Sequence, residues 1–176
     1  MKNHPYDELV PPYVKGLTNL FALIEKAEKH AKREKFDVGN ILNARLAPDM
    51  HNFITQVQYA YFTVLESVGK LSGKTPPKFA YNEKSARDLK NSIKRVTAYL
   101  RGVKPQHFGD AANKLIETFL APEAEMNSQT YIRLAALPNF YFHLTTAYDI
   151  LRHNGVQIGK SDYIGKLPTK RIKRRN

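Results

Sequence analysis

The stretch that decides the fold is Leu137-Pro-Asn-Phe-Tyr-Phe-His-Leu-Thr-Thr-Ala-Tyr-Asp-Ile-Leu-Arg-His-Asn-Gly155. It has the pattern of a helix, because Pro138 suits a first helical turn and Gly155 suits a C-terminal cap. Apolar side chains recur along it at Phe140, Phe142, Leu144, Ala147, Ile150 and Leu151. A helix with so little polar surface is typical of the inside of a helical bundle.

The same spacing of apolar residues predicts three more long helices, over about residues 12–35, 49–71 and 86–102. We expect Pro11 and Pro12 at the first turn of the first helix and Asn82 as the N-cap of the third. Alternating residues at 114–120 and 124–126 predict a short β-hairpin, and the residues after Gly155 are expected to be extended. The fold class is therefore all-α, a four-helix bundle with a short β-hairpin before the last helix.

Half of the excess positive charge lies at the C-terminal end of the chain. The net charge is +12, and six basic residues without an acid occur in the last eleven positions: Lys166, Lys170, Arg171, Lys173, Arg174 and Arg175. We expect a bundle domain over 1–165 and a disordered or extended basic tail over 166–176. Such a tail is usually a solvated segment, and binding to nucleic acid or another anionic surface is the less favoured alternative.

The composition excludes several classes of protein. The chain has no cysteine, which excludes disulfides, thiolate metal sites and a cysteine nucleophile. Its longest largely apolar run, Tyr59–Leu65, has seven residues, whereas a membrane span needs about 20. Asp7 and Glu8 interrupt any apolar run near Met1, so we expect no secretory signal and a cytoplasmic protein.

One histidine, His143, is embedded in an apolar helix, and Asn139 lies one turn before it on the same face. The simpler interpretation is a buried imidazole that forms a hydrogen bond with a neighbouring helix. The alternative is a ligand or acid–base group in a cavity between helices. On the second helix, Gln56 lies close enough to the apolar stripe to point inward.

Two features of the second helix have both structural and functional interpretations. Asp49 follows Pro48 at the expected start of this helix, where a carboxylate stabilises the helix dipole without any catalytic role, and Arg45 is its expected partner. The aromatic residues Tyr59 and Phe62 fall on the outer side of the helix, where they would allow the chain to form a homodimer.

Four stretches carry a resemblance to a known family. They are Leu42-Asn-Ala-Arg-Leu-Ala-Pro-Asp-Met50, Gln56-Val-Gln58, Leu137-Pro-Asn-Phe-Tyr-Phe-His-Leu-Thr-Thr-Ala-Tyr-Asp-Ile-Leu-Arg152 and Gly155-Val-Gln-Ile-Gly-Lys-Ser-Asp-Tyr-Ile-Gly165. They resemble the signatures of DUF1993, a family of unknown function in the DinB/YfiT-like clan of helical bundles. The resemblance covers residues 1–165 and implies an up-down-down-up order of the four helices.

The resemblance also implies a site. Many members of the clan bind a divalent metal through three histidines, and some are metal-dependent transferases or hydrolases that use small thiols. It places His143 at the last ligand position, with Asn139 and Gln56 where the other two histidines would be. A small polar pocket between the second and last helices is implied, with Asp49 near its rim.

Two functions follow as alternatives. The first is binding of a small molecule, with Zn or Ni held through His143, in a degenerate metal-dependent transferase or hydrolase. The second is a non-enzymatic, dimeric interaction module.

Overall fold

A computed structural model describes residues 4–169 of the chain. Its elements are α1 (Pro5–Arg33), α2 (Gly39–Leu42), α3 (Phe53–Ser72), α4 (Ala86–Gly102), β1 (Leu115–Thr118), β2 (Ala121–Asn127), α5 (Ser128–Thr130), α6 (Leu137–His153) and α7 (Lys160–Ile164). A π-helical turn, Tyr131–Ala136, joins α5 to α6. Within the described residues, no helix is long and apolar enough to cross a membrane.

Contacts between α1 and α6 show that these two helices run in the same direction. Near the start of α1, Glu8 forms an ion pair of 2.9 Å with Arg133, which precedes α6. Further along α1, Gly16 approaches α6 so closely that an added Cβ would lie 2.6 Å from Phe140 Cζ and 3.2 Å from Leu144 Cδ2. Later residues of α1 therefore contact later residues of α6, so the two helices are parallel.

The other two long helices run the opposite way. On α4, Lys90 Nζ lies 2.6 Å from Glu28 Oε2, and Lys94 Nζ lies 5.4 Å from the ring centre of Phe21, so α4 is antiparallel to α1. The side chains that join α3 to α6, described below, make those two helices antiparallel. The bundle thus has the up-down-down-up order that the resemblance implies, and its four-helix prediction is confirmed.

The predicted β-hairpin is also confirmed. Strands β1 and β2 pair in antiparallel register, with Ile116 opposite Met126. The Lys114 ammonium donates to the carbonyl oxygens of Lys70 and Leu71, each at 3.1 Å. Because those carbonyls lie at the C-terminal end of α3, the hairpin is tied to the bundle there.

The predicted start of the first helix was wrong. The helix begins at Pro5, where the His4 ring accepts a hydrogen bond from the backbone N–H of Tyr6 at 3.2 Å, and Pro11 and Pro12 lie inside the helix. Proline has a φ value compatible with a helix, but each of these two removes one backbone hydrogen bond and its ring crowds the carbonyl four residues earlier. Burial of the neighbouring Leu9 and Val10 offsets that loss.

The predicted bounds of the third helix, 86–102, are confirmed by α4, but its predicted cap and the predicted start of α3 were wrong because another polar residue makes each cap. Helix α4 is capped by Ser85, which exchanges hydrogen bonds of 3.1 Å with Asp88, rather than by Asn82. Helix α3 is capped by Asn52, whose side-chain oxygen accepts from the Thr55 N–H at 3.0 Å. Asp49 lies three residues before this cap.

Pro138 lies in the first turn of α6 as predicted, but the helical backbone begins further upstream. The chain is helical from Ser128, with Asn127 as the cap that accepts from the Thr130 N–H at 2.9 Å. Both Ala136 and Leu137 keep helical angles. Pro138 is the second residue after the π-helical turn, so the helical backbone continues from the widened turn through the proline.

The chain after Gly155 is not wholly extended, which corrects that prediction. Helix α7 packs on α1, where Asn19 Nδ2 donates to the Tyr163 carbonyl at 2.7 Å and Lys26 forms an ion pair of 2.6 Å with Asp162. The Asp162 carboxylate also accepts from the Gly159 N–H at 2.9 Å, which caps this short helix. Most of the predicted basic tail, residues 170–176, lies outside the described residues.

Candidate functional site

The centre of the candidate site is a hydrogen bond between α3 and α6. His143 Nδ1 lies 2.7 Å from Gln56 Oε1, and Gln56 Nε2 donates to the His51 carbonyl at 3.2 Å. The second contact fixes the amide orientation, because a flipped amide would place its oxygen against that carbonyl. The Gln56 oxygen is therefore an acceptor, so His143 Nδ1 carries a proton and donates it. The lone pair of the neutral ring is on Nε2.

Burial keeps this ring neutral. The exposed fraction is 9% for His143 and 1% for Gln56. Burial, with a smaller contribution from repulsion by the His51 ring, lowers the pKa of His143 from 6.5 to about 4. The imidazole is therefore uncharged at neutral pH, so Nδ1 donates to Gln56 while Nε2 keeps its lone pair.

Tyr59 stacks on the same imidazole. Its ring centre is 5.0 Å from that of His143, with 16° between the planes, and 5.2 Å from that of His51. The stack fixes the orientation of the His143 ring, because the ring is held at its edge by Gln56 and over its face by Tyr59. His51 was not predicted as a site residue; the one sequence signal for it is its position directly before Asn52, the N-cap of α3.

The other two predicted site residues have different positions. Asn139 Nδ2 donates to Thr63 Oγ1 at 2.7 Å, one turn along the same α3–α6 seam, and does not contact Gln56. Asp49 lies in an exposed turn. Its expected partner, Arg45, donates instead to the carbonyl of Met50. The structure therefore brings Gln56 and His143 together, places Asn139 next to them, and leaves Asp49 outside.

The residues at this site do not fit a Zn or Ni ion. Metal binding needs lone pairs that converge on one point. Here the Gln56 oxygen accepts the proton of His143 Nδ1, and the amide nitrogen of Asn139 is directed to Thr63. Over residues 4–169, no three histidine, aspartate or glutamate side chains are grouped so that they could hold a metal ion.

An aromatic cavity of about 270 Å³ adjoins the site through Tyr59. Its other lining residues are Thr55, Gln58, Phe62 and Tyr81. Tyr59 and Phe62, which were expected on the outer side of the helix, are in fact half-buried. The site thus combines a polar pair between two helices with a hollow lined by aromatic rings.

Four long helices in up-down-down-up order, with a polar pair between the second and the fourth, define a helical-bundle protein with an inter-helix site. The domain of unknown function DUF1993 matches residues 6–164. The chain belongs to the DUF1993 family.

A solved structure agrees with this assignment. The crystal structure of a DinB family member protein from Shewanella denitrificans is 40% identical, covers 95% of both chains and superposes with a TM-score of 0.90. No curated protein matches the sequence significantly.

Proposed function

We propose that this chain binds a small molecule at the seam between α3 and α6, and that it does so without a resident metal ion. The observation that carries this proposal is the 2.7 Å contact between Gln56 Oε1 and His143 Nδ1. It uses one lone pair of the Gln56 oxygen and orients the imidazole so that Nε2 is its acceptor. A site that fixes one tautomer of a neutral ring is suited to recognising a hydrogen-bond donor.

The low pKa favours binding over catalysis by His143. A general base works best when its pKa is near the operating pH. With a pKa of about 4, the ring accepts a proton poorly at pH 7 but still accepts a hydrogen bond. We therefore propose that His143 Nε2 accepts a hydrogen bond from a hydroxyl, thiol or amine of the ligand, and we do not carry over the metal-dependent transferase or hydrolase chemistry of the clan.

A fragment screen observed by protein NMR tests this proposal. Fragments that carry hydroxyl, thiol or amine groups should shift the signals of His143 and Tyr59. The variant His143→Gln should lose these hits, whereas His153→Gln, an exposed histidine on the same helix, should keep them. Hits that persist in His143→Gln would contradict the proposed site.

A metal titration tests the second part of the proposal. Zn, Ni and Mn, added to protein purified without a histidine tag, should leave the melting temperature unchanged. A stabilisation by one of these ions that His143→Gln abolishes would restore the metal-binding alternative.

Self-association is a second candidate, and exposed apolar side chains favour it. The hairpin and the last helix expose large hydrophobic residues, with exposed fractions of 47% to 75%, at Leu115, Phe119, Leu120, Leu134 and Phe142. Exposed apolar surface of this kind is typical of protein–protein contacts. Light scattering after size-exclusion chromatography would show a homodimer, and a monomer at high concentration would contradict it.

Binding of nucleic acid or another anionic surface by the basic tail stays a prediction, because residues 170–176 are not described. Salt-dependent binding that is lost on deleting residues 166–176 is the result it requires.

A further inference from the structure

The cavity beside α3 has an aromatic lining on several sides. Phe62 lies between two other rings, with its centre 6.5 Å from that of Tyr59 and 6.1 Å from that of Tyr81. The planes meet at 90° and 67° respectively. The cavity lining therefore consists largely of aromatic rings packed edge to face, and aromatic rings are the side chains that attract an organic cation through their π-electrons.

The polar groups of this cavity suit a cation better than an anion. No lysine or arginine is among its lining residues, although the chain has 28 of them. Gln58 uses its Nε2 to donate to Glu83 Oε2 at 2.8 Å, which leaves its carbonyl oxygen as an acceptor. Thr55 adds a hydroxyl.

A carboxylate lies directly behind this lining. Glu83 accepts hydrogen bonds from Gln58, from the Tyr61 hydroxyl at 2.7 Å and from Ser92. Burial alone would raise the pKa of Glu83, but these three hydrogen bonds outweigh it and hold the pKa below its usual value. Within residues 4–169, no lysine, arginine or histidine forms an ion pair with it. Glu83 also lines a neighbouring cavity together with Arg95, so the contact of this carboxylate with the aromatic cavity is through Gln58.

Tyr81 is held at the cavity at a conformational cost. Its φ is +52°, in the left-handed region that residues with a Cβ rarely adopt. The ring is stacked on Tyr61, with centres 5.5 Å apart and 13° between the planes. Strained residues of this kind occur often at binding sites, where the surrounding structure maintains them.

A neighbouring ring already holds a cation. The Arg95 guanidinium lies 4.3 Å from the centre of Phe79, and that ring contacts Tyr61 and Tyr81. Arg95 is fixed on Phe79, where it also donates to the Lys78 carbonyl at 3.1 Å. Arg95 thus occupies the aromatic site at Phe79. The cavity around Phe62 has no lysine or arginine in its lining.

We infer that the cavity lined by Tyr59, Phe62 and Tyr81 binds a small organic cation of the methylated-ammonium class, with the Glu83 carboxylate as its counter-charge. The volume of about 270 Å³ is at the lower limit for ligand pockets, so it suits a compact headgroup. The inference goes beyond the proposed function, because it names a ligand class and does not depend on His143.

A titration with two ligands of the same shape, only one of which is charged, measures how much the charge of the ligand contributes to binding. Choline and its uncharged isostere 3,3-dimethylbutan-1-ol are added separately to the full chain at constant ionic strength, and ring-proton shifts are followed by NMR. We expect choline to shift the signals of Tyr59, Phe62 and Tyr81 and to bind about tenfold more tightly than the alcohol. Equal binding of the two probes, or no shifts with choline at millimolar concentration, would overturn the inference.

Three variants assign the effect to these residues. Phe62→Leu and Tyr81→Leu keep apolar bulk but remove a ring face, so each should weaken choline binding about three- to tenfold. Glu83→Gln should weaken binding of choline and leave that of the alcohol unchanged. Phe142→Leu, an exposed ring outside the cavity, is the matched control.

Two further comparisons keep the outcome decisive. If Glu83→Gln unfolds the chain, as melting curves would show, Tyr81→Leu alone still decides the result. Choline binding that is unchanged in Tyr81→Leu would refute the inference. Choline binding without fragment hits at His143, or fragment hits without choline binding, tells failure here apart from failure of the proposed α3–α6 site.

Discussion

Replacing His143 by glutamine should change how the stability of the chain depends on pH. The native pKa of His143 is about 4, against 6.5 for an ordinary histidine. Between these values the unfolded chain binds a proton that the folded chain excludes, so stability falls as pH falls through this window. Above pH 6.5 both states are neutral and the contribution is constant.

The size of the effect follows from the two pKa values. A fall from 6.5 to about 4 corresponds to about 3 kcal/mol of unfolding free energy. Wild-type protein should lose this amount between pH 6.5 and pH 4 in addition to losses from other groups. Those other groups are common to both proteins, so they cancel in the difference between wild type and His143→Gln.

Urea denaturation at several pH values measures this difference. We expect wild type to be the more stable at pH 7 and the advantage to shrink by about 3 kcal/mol towards pH 4. His153→Gln should follow the wild-type curve, because that side chain is exposed. The reasoning is refuted if the difference between wild type and His143→Gln does not vary with pH, or if the ring protons of His143 titrate near 6.5.

Three other substitutions give independent tests. Gln56→Glu places a carboxylate against Nδ1 and should raise the pKa of His143 above about 4, as NMR titration would show; an unchanged pKa would argue against the contact. Gly16→Ala puts a Cβ 2.6 Å from a ring of α6 and should lower the free energy of unfolding in denaturant by about 1–3 kcal/mol. Its control is Gly102→Ala, where the added Cβ has nothing within 4 Å and should not destabilise the chain. Ser85→Ala removes a cap and should cost about 1 kcal/mol in the same assay.

Helix interiors and helix ends differ in how far the sequence predicts them. The interiors of α3 and α4 follow from apolar spacing, and their ends at Ser72 and Gly102 lie within one residue of the expected positions. Their caps were not predicted, because several polar residues compete for one cap. Asp49 and Asn52 both precede α3, and only the path of the chain decides which of them reaches a free N–H.

The candidate site shows the same limit. Helical spacing and the family resemblance were enough to propose Gln56 and His143 as neighbours. They could not show that the His51 carbonyl orients the Gln56 amide, nor that Tyr59 covers the imidazole. The first contact depends on the path of the chain just before the N-cap of α3, and the second depends on how α3 and α6 pack.

The π-helical turn Tyr131–Ala136 determines how the residues that follow it in the last helix are rotated about the helix axis. A turn of this type holds one residue more than an ordinary helical turn, and one residue corresponds to about 100° of rotation about the helix axis. Removing a single residue there would rotate the rest of the helix and carry His143 away from α3. The direction in which the imidazole faces is thus set a full two turns earlier, by the number of residues in one widened turn.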